Sequence, residues 1–164
     1  MIKIAWDIDG VLRDLCVEIT KNFGFEINSW NWNFEGKNVY DLAREKPEML
    51  VNAPATKYIK IVNSLVKDDI EIWSHQPPEW RPYTNEWLKK YLNPGLKINL
   101  RYLNPQQKYE TLMKEPETIL VDDYPLFTEY DRIILIDAIY NQSSDASIRV
   151  KTEEELIDAL FLYK

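Results

Sequence analysis

Five short apolar runs punctuate the chain: Lys3 to Ile8, Ile70 to Trp73, Ile98 to Leu103, Thr118 to Val121 and Ile133 to Ile136. Most are rich in β-branched residues and nearly continuous rather than alternating, the pattern of strands covered on both faces of a parallel sheet. Between them, apolar residues recur at helical spacing: Tyr58, Ile59, Ile61, Val62, Leu65 and Val66 before the second run, Trp87, Leu88, Tyr91 and Leu92 before the third, and Tyr109, Leu112 and Met113 before the fourth. This alternation predicts an α/β fold, a three-layer α/β/α sandwich around a central parallel sheet with right-handed crossovers. Start and stop signals agree. Asn93-Pro94-Gly95 ends one helix, Asn104-Pro105 opens the next with proline in its first turn, and Thr152 followed by Glu155 forms a capping box before a last helix of Leu156, Ile157, Leu160 and Phe161.

One interval breaks the alternation. About sixty residues separate the first run from the second, against roughly ten to fifteen for a simple crossover, so an insert lies between them. We place it at residues 15–60, within a core made of 1–14 and 61–164. It opens with a helix around Leu15 to Phe23. The stretch Ile27 to Phe34 then carries aromatics at every second position with Asn and Ser between them, which predicts an irregular segment whose rings partly face a cleft. Val39 to Leu50 suits a helix or two that cannot form a core alone. Asn141 to Ser147, rich in Asn, Gln, Ser and Asp, and the last residues are where disorder is expected.

With 164 residues the chain has the size of one ordinary domain. Its 27 acidic against 20 basic side chains, a formal charge of -7, argue against the broad basic face of a nucleic-acid binder, but not against a small phosphorylated substrate if a cation lies in the cleft. The single cysteine, Cys16, suits a reducing compartment, and no signal or membrane-spanning segment is evident, so the expected location is cytoplasmic and no membrane partner is expected. Six Trp and ten Tyr exceed what a core of this size requires, so some should line a site.

The candidate chemistry lies at the ends of the runs, where an open parallel sheet binds its ligands. Asp7 and Asp9 end the first and Asp122 and Asp123 the fourth. Adjacent carboxylates repel unless something positive lies between them, and such oxygen ligands suit Mg²⁺. Asp7 is positioned as a nucleophile toward phosphorus and Asp9 as the acid and base for the leaving group and the water. Gly10 lets the backbone turn tightly beneath a phosphate. Ser74, at the end of the second run, can donate to a phosphate oxygen, and Lys108 can reach the cleft to balance charge. Either late aspartate can be the direct metal ligand. The lone histidine, His75, has no partners at zinc spacing and is read as shaping the phosphate loop. Cys16 has no basic neighbour and is read as packing. Tyr124, Phe127 and Tyr130 suit either a homodimer contact or local packing.

In this order, Asp7-Ile8-Asp9-Gly10-Val11-Leu12, Ser74, Lys108 and Asp122-Asp123 resemble the four motifs of the haloacid dehalogenase-like hydrolases across nearly the whole chain. Asp14, the stretch from Ser74 through Pro77, Trp80, Tyr83 and Trp87 to Lys89, and Ile136-Asp137-Ala138-Ile139-Tyr140-Asn141 look most like the 5'(3')-deoxyribonucleotidases. The resemblance implies a Rossmann-like sheet with a small, mainly helical cap over the site. It implies Mg²⁺ held by Asp7, the Asp9 carbonyl and the late aspartates, and phosphate held by Ser74 and Lys108. It also implies hydrolysis of a deoxyribonucleoside monophosphate through a phosphoaspartate, with Trp30, Trp32 and Phe34 available to stack on a base. Two departures, Arg13 where alanine is common and His75-Gln76 after the serine, bear on substrate choice. The competing readings are a phosphatase of sugar phosphates or other small metabolites, and a non-catalytic binding or regulatory protein of the same fold.

Overall fold

The computed structural model describes residues 2–65, 69–126 and 131–163. Among these, six strands form one sheet in the order β3-β2-β1-β4-β5-β6, with β1 at Lys3–Trp6, β2 at Asp69–Ser74, β3 at Lys97–Tyr102, β4 at Thr118–Asp122, β5 at Ile133–Ile136 and β6 at Ile148–Val150. Every neighbouring pair is parallel. The five expected strands are present, and β6 is an addition: three residues with an arginine at their centre, too short and polar to register as an apolar run.

Seven helices accompany the sheet among the described residues: α1 Leu15–Phe23, α2 Val39–Glu45, α3 Met49–Asn52, α4 Ile59–Leu65, α5 Arg81–Tyr91, α6 Pro105–Lys114 and α7 Glu153–Phe161. Strand residues of alternate parity face opposite layers, as the two-residue repeat of a strand dictates. Ile70, Ile72, Ile119, Val121, Ile134 and Ile136 pack with Val62 of α4, Trp87 and Leu88 of α5, and Leu156 and Leu160 of α7. Ala5, Trp73, Leu120 and Ile133 pack with Leu112 of α6 on the other side. Helices therefore cover both faces, as expected. The chain moves outward from β1 to β3 with α4 and α5 on one face, then crosses back to β4 with α6 on the other. A reversal of direction that keeps one crossover hand requires this change of face.

The capping predictions hold at α6 and α7. Asn104 and Gln107 satisfy each other's backbone N–H groups around Pro105, and Thr152 and Glu155 do the same at α7. Met113 departs from its expected inward face and is exposed. Asn141 also departs from expectation, because it is fully buried and anchors the loop after β5 rather than fraying.

The insert leaves and rejoins the core at one place. Asp14 N–H donates to the Pro54 carbonyl and Thr56 N–H to the Leu12 carbonyl, both at 2.8 Å, so its two ends lie side by side. Between them Leu15, Ile19, Leu42, Met49 and Leu50 bury a second apolar cluster closed by Trp80 from beyond β2. The aromatic stretch contains no strand. It ends in a tight turn at Glu35 and Gly36, both at positive φ, with Phe34 and Lys37 exchanging backbone hydrogen bonds. Tyr58 and Ile59 already belong to the main core. No helix of the described residues is long and apolar enough to cross a membrane.

Candidate active site

Strand order reverses between β1 and β4, and the crevice at such a switch point is where open α/β sheets bind ligands. Asp7 leaves β1 with its N–H still bonded to the Val121 carbonyl of β4 at 2.9 Å. The Ile8 carbonyl then accepts from the N–H groups of Val11, Leu12 and Arg13 at 3.3, 2.8 and 2.8 Å, curling residues 8–13 into a turn. Gly10 sits at φ 86° in this turn, and a Cβ there would overlap the Asp123 carboxylate and the Tyr140 hydroxyl. Gly10 thus turns the backbone here and backs onto Asp123, and it is not on the lining of the main cavity.

Asp7, Asp122 and Asp123 are all buried, and each offers an oxygen within 4.8 Å of the others. Lys108, expected on a helix that usually keeps its lysines in solvent, is 3% exposed. Its Nζ donates to Asp7 Oδ1 and Asp122 Oδ2, both at 2.7 Å. The other Asp122 oxygen accepts from the Tyr124 N–H at 2.9 Å. Asp123 accepts from the Tyr140 hydroxyl, and its carbonyl accepts from Asn141 Nδ2 at 2.9 Å. Asn141 is fixed in turn by Arg149 and by the Ala138 N–H, which donate to its Oδ1 at 2.9 and 3.0 Å.

Burial first, then the charges of Asp122 and Asp9, push the Asp7 carboxyl up to about 7 against the downward pull of Lys108. Burial, followed by Asp122 and Asp7, raises Asp123 well above the usual carboxylate range. Three ionised carboxylates against one ammonium would leave a double negative charge in a dry site, which is costly without a counter-ion. A divalent cation with a preference for hard oxygen ligands fits this deficit and this donor set.

Asp9 faces the same cavity but belongs to a different network. Arg13, fully buried, donates through Nε to Asp9 Oδ1 at 2.7 Å and through Nη2 to Oδ2 at 3.0 Å. Gln76 Nε2 donates to Oδ2 at 2.9 Å, Thr84 Oγ1 donates to Gln76 Oε1 at 2.7 Å, and Arg13 Nη1 closes the ring on Thr84 Oγ1 at 3.2 Å. The same Nη1 bonds the Leu50 carbonyl of the insert at 2.7 Å. Arg13 therefore touches the insert and has no exposed surface to offer a substrate.

A cavity of about 490 Å³ lies above these carboxylates, with Ser74, His75 and Lys108 also on its lining. The insert and neighbouring loops wall it with Trp30, Trp32, Tyr40, Trp80 and Tyr124. Tyr40 packs against Trp80 with ring centres 5.2 Å apart, and Trp30 meets Tyr124 edge-on at 5.2 Å. Phe34, expected beside Trp30 and Trp32, does not line the cavity. It stacks on Phe25 at 4.6 Å, because the turn at Glu35-Gly36 folds it back into the insert. His75 is exposed at the mouth, and partial burial, with Lys108 nearby, holds its pKa below the ordinary value. Asp14 caps α1 by accepting from the Val17 N–H at 3.1 Å. Burial, with Asp123, Asp14 and Asp9 nearby, pushes the Cys16 thiol up to about 12, consistent with its expected packing role. Phe127 and Tyr130 lie outside the described residues.

Tyr40, Gln76, Thr84 and Tyr140 were not singled out as site residues by sequence reasoning. The surplus of aromatics hints at Tyr40; Gln76 stands out only as a departure after the serine and Thr84 not at all, since Asp9 and Arg13, which they meet, lie far along the chain.

No family model and no curated protein sequence matches the chain. Among solved structures it is similar to a HAD-superfamily hydrolase of subfamily IA, variant 1, from Geobacter sulfurreducens PCA, at 14% identity and a TM-score of 0.49 over 96% of this chain and 99% of that one. It is also similar to a conserved haloacid dehalogenase-like protein of unknown function from Agrobacterium tumefaciens str. C58, at 16% identity and a TM-score of 0.45 over 95% of this chain and 89% of that one.

Proposed function

We propose that this chain is a Mg²⁺-dependent phosphomonoesterase of the haloacid dehalogenase-like type, acting through a phosphoaspartate on Asp7, with a nucleoside monophosphate, a deoxyribonucleotide first, as substrate. The observation that carries this reading is the trio of buried carboxylates, Asp7, Asp122 and Asp123, the first two bridged by Lys108, at the sheet's switch point and opening into an aromatic-walled cavity. A structural ion pair needs one carboxylate per cation. Three around one lysine, with room above them for a small molecule, fit a site that gathers a metal and a phosphate.

In this reading Asp7, Asp122 and Asp123 hold Mg²⁺ together with the Asp9 carbonyl. The bound ion supplies charge neutralisation for an anionic nucleophile meeting an anionic phosphate. An Asp7 oxygen attacks phosphorus as the ester P–O bond breaks, and the departing oxygen takes a proton from the Asp9 carboxyl. Asp9 then takes a proton from water as the water oxygen attacks phosphorus. The bond to Asp7 breaks, its carboxylate is restored and inorganic phosphate leaves. Lys108 and Ser74 hold the phosphoryl oxygens. Residues 15–60 act as a cap on the core of 1–14 and 61–164, excluding water and offering Trp30, Trp32 and Tyr40 to a base.

The test is inorganic phosphate released from ribo- and deoxyribonucleoside monophosphates and from sugar phosphates, with Mg²⁺ and with chelator. Metal-dependent release favouring deoxynucleotides is expected. Release from sugar phosphates alone would replace the nucleotide assignment, and no release from any monoester would contradict the catalytic reading.

A further inference from the structure

The ring around Asp9 has a chemical consequence. An ionised carboxylate offers roughly four lone-pair sites on its two oxygens. Oδ2 accepts from Arg13 Nη2 and Gln76 Nε2, while Oδ1 accepts from Arg13 Nε alone. The side chain of Asp9 nevertheless keeps 25% of its surface exposed, whereas that of Arg13 has none. Both oxygens are thus tied, but unequally.

We infer that Arg13, Gln76 and Thr84 are positioning residues that leave Oδ1 as the working oxygen of Asp9, the atom that gives the proton to the leaving group and takes it from water. This rests on the phosphomonoesterase reading for the identity of the reaction. The ring itself rests on geometry. All three side chains are buried, Arg13 and Thr84 completely. Thr84 is the keystone, since its hydroxyl accepts from Arg13 and donates to Gln76. Neither donor to Asp9 is free to turn while that hydroxyl is in place. Arg13 also bonds the Leu50 carbonyl, so the acid is tied to the insert that would close over the substrate.

Thr84 touches neither Asp9 nor the cavity, so its removal tests the ring rather than direct contact with substrate. Thr84→Val keeps the shape and deletes the hydroxyl, and Thr84→Ser keeps the hydroxyl and deletes a methyl group. The readout is kcat/KM, which reports steps through departure of the leaving group, on p-nitrophenyl phosphate, whose leaving group needs little protonation, and on an alkyl phosphate or nucleotide, whose leaving group needs it. Thr84→Val should lose roughly tenfold or more on the alkyl ester, much less on the aryl ester, and Thr84→Ser should restore most of the difference. Equal losses on both esters, or equal behaviour of the two variants, would overturn the inference.

If the native chain releases phosphate from neither ester, the catalytic reading fails, and the ring is judged by thermal unfolding. Thr84→Val and Asp9→Asn should then be non-additive by roughly 2 °C or more in Tm, because they act on one hydrogen-bonded network. Additive shifts would overturn it.

Discussion

On the sheet side of the cavity, Asp7, Lys108, Asp122 and Asp123 are almost inaccessible, and each of the three carboxylates accepts a hydrogen bond from Lys108, from the Tyr124 N–H or from the Tyr140 hydroxyl. On the insert side Trp30 is 42% exposed, and Trp32 and Tyr40 are only partly buried. The first wall is set by strand ladders and by charges that cannot leave without stranding a partner. The second is set by ring contacts between loops, which many sequences could satisfy. Under the proposed function the difference is a division of labour: the buried wall would hold the chemistry and the aromatic wall would select what enters.

The largest expected effect comes from breaking the buried wall. Lys108→Met removes the ammonium that bonds Asp7 and Asp122, leaving buried carboxylates uncompensated. Loss of one partner from such a cluster costs about 3–5 kcal/mol. Chelated protein should therefore melt far below the native chain, and added Mg²⁺ should recover part of the loss. A variant as stable as the native chain in chelator would contradict the charge balance described for this wall.

A smaller effect follows from the Asp7 carboxyl, raised by burial from 3.8 to about 7. Between these values the folded state binds the proton and the unfolded state does not, so stability falls as pH rises. The slope is up to about 1.4 kcal/mol per pH unit. Asp123, raised by burial, acts in the same direction. His75, lowered by burial, acts weakly in the other direction from an exposed ring. Chelated protein should lose Tm from pH 5 to pH 7, and Mg²⁺, which binds the ionised carboxylates, should flatten or reverse the trend. Identical profiles with and without metal would show that these carboxylates do not hold the ion.

The smallest effect belongs to the aromatic wall. Trp32→Ala should raise KM for a nucleotide by a few-fold, in line with about 0.5–1.5 kcal/mol for one aromatic contact, and leave p-nitrophenyl phosphate nearly unchanged. An equal change for both substrates would remove Trp32 from base recognition.

The two walls also differed in how much of them could be read from the chain. Asp7, Ser74, Asp122 and Asp123 each close a strand whose apolar run is unmistakable, and parallel topology brings such ends to one rim whatever the loops do. Lys108 was legible by its place in the helix opened by Asn104-Pro105. The Asp9 ring was not, because Gln76 and Thr84 meet Asp9 and Arg13 only through the approach of α5 to the turn after β1, across 67 and 71 residues of chain. Phe34 was not legible for a related reason: an irregular segment whose rings only partly face a cleft does not say which rings do, and the turn at Glu35-Gly36 lies between Phe34, stacked on Phe25 within the insert, and the helix that follows. Tyr140, noticed only through resemblance, and Asn141, which composition places at the start of a stretch expected to be disordered, both serve Asp123 from the loop after β5.

The most direct test of the account is to mix the native chain with Mg²⁺ and a hydrolysable monoester, quench rapidly in acid, and map any covalent phosphoryl group by mass spectrometry. One group is expected, on the peptide carrying Asp7, present in the native chain and absent in Asp7→Asn. Turnover without a phosphoryl group at Asp7, or its appearance on another residue, would contradict it.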